Sequence, residues 1–166
     1  MELPLLSLGE HSIRLPIVQG GMGVGISMSG LAAAAAEAGC VGVVSAAFPG
    51  FGESDLYSDS SSANIRALRR EIRLARQASG GVLGVNVMVA LTNYGDMVRT
   101  AIEEGIDVIF AGAGLPLDLP SHLPQGASTA LVPIVSSGRA AMLLCRKWLA
   151  RYARLPDGFV VEGPEA

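Results

Sequence analysis

Histidine and cysteine are nearly missing, with two of each in 166 residues. Cys40 and Cys145 stand far apart, without a C-x-x-C spacing or a neighbouring histidine, which excludes a disulfide framework and an ordinary zinc site. A reducing, cytoplasmic setting is expected. His11 and His122 fall in segments that read as a hairpin and a proline-rich loop, so neither belongs to a Ser-His-Asp or Cys-His arrangement. Charge is also scarce, at 16% of residues against a usual ~25%. The formal net charge of -3 leaves no clustered excess of cations for a nucleic-acid phosphate backbone. No long apolar run is present either. The stretch 31–44 is broken by Glu37 and Gly39 and falls short of the ~20 apolar residues a membrane span needs. The first twenty residues lack the basic start and continuous apolar stretch of a signal peptide.

What is abundant is apolar surface and glycine. Half of the residues are hydrophobic and 21 are glycine, which suits one well-filled core with many tight turns, a single domain over residues 1–166.

Short β-branched runs alternate with helical patterns, the signature of parallel βαβ units. Six such runs are expected to be strands, at 15–19, 41–45, 83–87, 107–111, 131–136 and 158–162. Most are continuously apolar, as strands covered on both faces are. Helices are expected between them: one begun by Ser29 and closed by Gly39, one capped by Asn64 with Ile65, Leu68, Ile72 and Ala75 inward, one over 93–104, and one over 139–154 with the packing stripe Ala141, Leu144, Trp148 and Tyr152. The arginines at 66, 69, 70, 73 and 76 lie off the apolar face and read as a solvated surface. Residues 6–15, with a turn at Gly9-Glu10, suit a hairpin closing the bottom of a barrel, and the polar stretch 48–63 suits a mobile lid. Strand starts fall roughly 28 residues apart, near the ~31 per unit of an eightfold barrel. A doubly wound sheet has similar spacing, so spacing alone leaves both open.

The chemistry is expected at the C-terminal tips of the strands, where barrels and open α/β sheets bind ligands. After the first strand comes Gln19-Gly20-Gly21-Met22-Gly23-Val24-Gly25-Ile26-Ser27. It matches neither G-x-G-x-x-G nor a Walker loop ending. Gly21 and Gly23 allow a flat ligand to approach the backbone, and Met22 can offer a polarizable face and a free N–H; an ordinary tight turn is the alternative. Small residues recur at other tips, including Gly112, Ala113 and Gly114. Asn86, in an apolar run, needs a hydrogen-bond partner, either a polar flavin edge or a structural one. Glu162 is either a site residue or half of an internal ion pair.

The segments Pro16-Ile17-Val18-Gln19-Gly20-Gly21-Met22-Gly23-Val24-Gly25-Ile26-Ser27, Gly84-Val85-Asn86-Val87-Met88-Val89-Ala90, Ala111-Gly112-Ala113-Gly114-Leu115-Pro116, Ile134-Val135-Ser136-Ser137 and Val161-Glu162-Gly163-Pro164-Glu165-Ala166 together resemble the nitronate monooxygenase (2-nitropropane dioxygenase-like) flavoproteins. The resemblance implies an FMN-binding TIM (β/α)8 barrel, with about six of the eight βα units in this chain, its N-terminal three quarters. It implies FMN-dependent oxidation of alkyl nitronates with dioxygen, or, as in a related branch, NAD(P)H-driven enoyl-acyl-carrier-protein reduction. By the same resemblance Gly21, Met22, Gly23, Asn86 and Glu162 would contact FMN, and Gly112, Ala113 and Gly114 would lie on the substrate side. No catalytic residue is expected within the chain, because the family pattern places its catalytic histidine just after the position of Ala166. The isolated chain is then expected to be inactive, to hold FMN weakly, and to self-associate through open sheet edges. A non-catalytic short form acting as an assembly module is a third reading.

Overall fold

The computed structural model describes residues 3–163. A hairpin comes first, β1 (Leu6–Leu8) and β2 (His11–Ile13), turning at Gly9-Glu10 with Gly9 in left-handed backbone. The expected hairpin is therefore present. The elements that follow are α1 (Ser29–Glu37), β3 (Gly42–Ser45), α2 (Ser60–Ala78), β4 (Leu83–Met88), α3 (Tyr94–Glu103), β5 (Val108–Gly112), a 3-10 turn (Leu119–His122), β6 (Ala130–Val135), α4 (Gly138–Tyr152) and β7 (Val160–Val161).

Strands β3 to β7 pair in chain order, all parallel, as a curled half-barrel sheet. This settles the choice that strand spacing left open, since a doubly wound sheet reverses its strand order. The first expected strand, 15–19, runs beside β3 but makes only a bridge between Val18 and Val41, flanked by Gln19 N–H to Val41 O (3.0 Å) and Val41 N–H to Ile17 O (2.9 Å). Pro16 has no N–H to lend a ladder, and the chain peels away at Gly20. After β5 the chain makes a 3-10 turn rather than an α-helix, so the repeat of strand and helix is less regular than the sequence pattern suggests.

The sheet has two apolar faces because successive side chains alternate. The outer face carries Val44, Val85, Ile109, Leu131 and Val135, packed against Leu68, Ile72, Met97, Leu144 and Trp148 of the helices. Trp148 also donates its ring N–H to Pro116 O at 3.0 Å, pinning the loop after β5. The inner face carries Val43, Phe110 and Val132, and the hairpin residues Leu8 and Ile13 plug it from the N-terminal end of the strands. Helix α1 lies almost on the backbone of the sheet. A Cβ on Gly42 would stand 2.6 Å from the Ala32 carbonyl carbon, which is why the helix is a run of alanines and the strand opens with glycine.

Two ionic clasps tie strand starts together. Asp107 Oδ2 accepts from Leu83 N–H (2.8 Å) and from Arg76 (2.7 Å), and Asp157 Oδ2 accepts from Leu131 N–H (2.8 Å) and from Arg154 (2.7 Å). Each aspartate sits just before or near the next strand and binds the previous one. The arginine face of α2 is solvated but also paired: Arg66 with Asp55, Arg69 with Glu103, Arg70 with Glu53 and Arg73 with Glu104.

Two expectations need correction. Asn64 does not cap α2, which begins four residues earlier with Asp59 accepting from Ser62 N–H at 3.1 Å. Asn64 is instead buried inside the helix and accepts from Gly50 N–H at 3.0 Å. With Asp55 on Arg66 and Leu56 buried, that bond straps down the stretch read as a mobile lid.

Candidate functional site

The sheet brings its C-terminal tips to one side, above the inner face. There the chain surrounds a cavity of about 330 Å³ whose floor is Phe110, Val43, Ile134 and Val160 and whose margin is Gly20, Gly21, Met22, Asn86 and Glu162. That volume falls within the usual range for small-molecule pockets. Four of the five residues expected to touch a cofactor, Gly21, Met22, Asn86 and Glu162, meet here from three different parts of the chain.

Asn86 reaches the inner face by parity. Val85 and Val87 pack outward under the helices, so the residue between them points into the barrel. Its Nδ2 lies 3.4 Å from Gly21 O, a marginal bond, and among the described residues nothing donates to its Oδ1. A Cβ on Gly21 would overlap the Asn86 side chain, at 2.7 Å from Nδ2. Glycine here allows the loop to lie against the amide. Gly23 serves a similar end on the other side, where a Cβ would meet Ala47 Cβ at 2.9 Å, but Gly23 is not part of the cavity lining.

Loop 20–26 is held from below. Ser27 is fully buried. Its Oγ donates to Gly20 O (2.9 Å) and accepts from Met22 N–H (2.9 Å) and from Gln19 Nε2 (3.0 Å). Gln19 Oε1 in turn accepts from Val43 N–H at 2.8 Å. The N–H of Met22 is therefore spent inside the loop, contrary to expectation. The loop amides left without partners among the described residues are those of Gly20, Gly21, Gly23 and Gly25, and of these Gly20 and Gly21 line the cavity. Met22 still offers its side chain, which is 59% exposed.

Gly112, Ala113 and Gly114 follow β5. Gly112 sits against Ile134, a floor residue, with its pro-Cβ position 3.0 Å from Ile134 Cβ. Ala113 and Gly114 hold positive φ, and none of the three lines the cavity. Among the described residues, three of the four non-glycine residues with positive φ, Val24, Phe48 and Ala113, stand on loops beyond strand tips. Such backbone is strained and persists only where the surroundings impose it.

Glu162 lies at the open margin, its N–H on Val135 O at 2.9 Å. Among the described residues no cation pairs with it, so the internal ion pair is not formed. Among the described residues it is the one acidic or basic side chain lining the cavity. Neither histidine reaches the site. His11 belongs to the hairpin at the opposite end, and His122 packs edge-on against Tyr94 with ring centroids 6.0 Å apart. Burial holds the His122 imidazole below its ordinary titration range, assisted by Arg99 and opposed by Asp118. The last three residues of the sequence motif, Pro164, Glu165 and Ala166, lie outside the described residues.

Sequence reasoning missed Phe110 and the pair Gln19 and Ser27. Phe110 was hidden in an apolar run in which nothing distinguishes inner from outer residues. Gln19 and Ser27 carried a signal, being the polar ends of a glycine loop otherwise lined by Met22, Val24 and Ile26.

The arrangement offers a broad apolar floor, two free amides, an amide side chain with an unused acceptor and one carboxylate. It fits a flat, mostly apolar heterocycle with a polar edge. A family model described as nitronate monooxygenase matches residues 6–166. Among solved structures, FabK from Thermotoga maritima matches with 28% identity and a TM-score of 0.71, covering 93% of this chain and 42% of that one. Its M276A mutant matches with 29% identity and a TM-score of 0.72, covering 93% and 45%. Nitroalkane oxidase from Streptomyces ansochromogenes shares the fold at 20% identity and a TM-score of 0.71, covering 93% and 48%. The chain thus spans less than half the length of these neighbours. A search of the curated proteins found no match.

Proposed function

The chain belongs to the nitronate monooxygenase family, and from that premise we propose that the cavity at its strand tips holds the ring of FMN for the oxidation of alkyl nitronates by dioxygen. The family is one of flavin oxidoreductases, and FMN would supply the electron-accepting ring, with dioxygen as the final oxidant. The chain's own residues would bind and orient. Phe110, Val43 and Ile134 give an apolar floor on which a flat ring would rest. The unpaired amides of Gly20 and Gly21 can donate to an electron-rich ring edge, and the Asn86 amide can both donate and accept there. Met22 offers a soft sulfur face.

The observation that carries the reading is the fit of Gly21 against Asn86, a close approach that clears side chains from the loop beside a cavity-lining amide whose Oδ1 has no donor among the described residues. Titration with FMN followed by amide shifts tests it. Saturable changes at Gly20, Gly21 and the Asn86 side chain are expected, and no change at these groups at millimolar FMN refutes the reading. Oxygen uptake with propane-2-nitronate, measured on a chain lengthened to the extent of its structural neighbours, then tests the reaction, since this chain by itself is expected to be inactive.

A second reading, NAD(P)H-driven enoyl-acyl-carrier-protein reduction, is favoured by the likeness to FabK at 28–29% identity. Anaerobic mixing separates the two. Rapid bleaching of bound flavin by NADH supports reduction, and bleaching by the nitronate alone supports oxidation.

A further inference from the structure

Loop 20–26 reverses the usual order of a surface loop. Its apolar side chains Met22, Val24 and Ile26 are all more than half exposed, while its base is polar and sealed by the fully buried Ser27. Side-chain burial therefore does not hold this loop in shape. Gln19 does so from the strand side: where the main chain leaves β3, its Oε1 takes the N–H of Val43 that a further strand residue would have used, and its Nε2 reaches Ser27 Oγ. Ser27 then closes the loop on Gly20 O and Met22 N–H, and a backbone bond from Ser27 N–H to Met22 O at 2.9 Å completes the seal. Ser45 N–H on Ser27 O at 2.9 Å ties the whole to the end of β3. Buried polar networks with their members satisfied hold one geometry more firmly than apolar contacts do.

We propose that Gln19 and Ser27 are positioning residues: together they form a clasp that presets loop 20–26 so that Gly20 and Gly21, whose amides are free, line the cavity before any ligand arrives. This rests on the flavin reading for the identity of the ligand, but not for the clasp itself. Preorganisation of this kind lowers the ordering cost that binding would otherwise meet.

The test uses the full chain, isotope-labelled, with Ser27→Ala and Gln19→Leu as variants and Arg73→Ala as a remote control. Amide exchange is measured first, without ligand. The Met22 amide is expected to exchange at least tenfold faster in both variants, while amides of β4 and β5 keep their protection. Unchanged exchange at Met22 overturns the clasp. Loss of protection throughout Ser27→Ala reports unfolding of that variant, and the decision then rests on Gln19→Leu, whose Ser27 hydroxyl is intact. FMN titration followed by amide shifts comes second. Wild type and Arg73→Ala are expected to bind alike, and both clasp variants at least tenfold more weakly, with smaller shifts at Gly20 and Gly21. Equal binding by all four proteins overturns the positioning role while leaving the flavin reading intact. No FMN-induced shift in the wild type overturns the flavin reading, and with it the assignment of the clasp to flavin.

Discussion

Gly21 lies so close against Asn86 that the space a β-carbon would occupy is already filled by the asparagine amide. Gly21→Ala should therefore displace the loop rather than merely crowd it. A destabilisation of about 1–3 kcal/mol is expected, the usual cost of overpacking, together with at least a tenfold loss of FMN binding. Because the overlap includes the Asn86 Cβ, Asn86→Gly in the same chain should restore stability where Asn86→Ala does not. Thermal unfolding and FMN titration of the two double variants check this.

The contact between α1 and β3 gives a second prediction. Gly42→Ala places a methyl group into the Ala32 carbonyl, and neither backbone can yield without parting helix from strand. A loss of about 3 kcal/mol or more is expected. Gly80→Ala, with open space around it, should stay within about 0.5 kcal/mol of wild type. Urea unfolding of both proteins checks the contrast.

Helix α1 has no cap of its own, since Met28 offers no side-chain acceptor. Glu71 of α2 supplies it, its Oε2 accepting from Ser29 N–H (3.0 Å) and Ser29 Oγ–H (2.7 Å). Burial pushes this carboxyl up, but the two Ser29 bonds and Arg70 outweigh it and hold Glu71 below its usual range. The folded state thus keeps the group charged. Its contribution is complete above the ordinary glutamate range and is lost as pH falls through the lower folded value. Glu71→Ala should cost about 2 kcal/mol at neutral pH, as charged hydrogen bonds do, and should flatten the acid limb of a stability profile.

His122 acts in a different window. Its imidazole is held below its ordinary titration range in the fold, chiefly by burial, with its Nε2 4.0 Å from Asp118 Oδ2. Since its pKa is depressed on folding, its contribution is complete above the ordinary histidine range and declines as pH falls from about 6.5. Carboxylates barely titrate between pH 5 and 7, so the slope there reports histidine. Unfolding midpoints should fall over that interval in the wild type and much less in His122→Phe. An equal slope in both proteins rules the assignment out.

Self-association is expected from the sheet edges. Among the described residues β7 pairs only with β6, and segment 15–19 only with β3. Val161 and Ile17, 72% and 54% exposed, stand on these edges. Unpaired apolar edges recruit another strand, and a lysine on the edge discourages it. Sedimentation velocity should show mass rising with concentration, reduced in Val161→Lys. A monomer at every concentration would speak against it.

Much of this was legible in sequence, for reasons that differ from element to element. Gly9-Glu10 between two short apolar runs marked the hairpin, and Leu144 with Trp148 marked the inner stripe of α4. Asn86 stood out because a lone amide among valines requires a partner. What could not be read were long-range bonds. Nothing near Glu71 says that it caps a helix forty-two residues earlier, and nothing near Asn64 says that it holds Gly50 instead of a helix end. The free N–H expected at Met22 failed for the same cause: its partner, Ser27 Oγ, lies across a loop whose path depends on Gln19.

The left-handed backbones of Val24, Phe48 and Ala113 have one more consequence. Glycine would rest in each of those places without protest, yet isopropyl, benzyl and methyl groups occupy them. The shape of these loops is thus not the one their own residues would choose; it is imposed on them by the scaffold beneath, and would relax if that scaffold loosened.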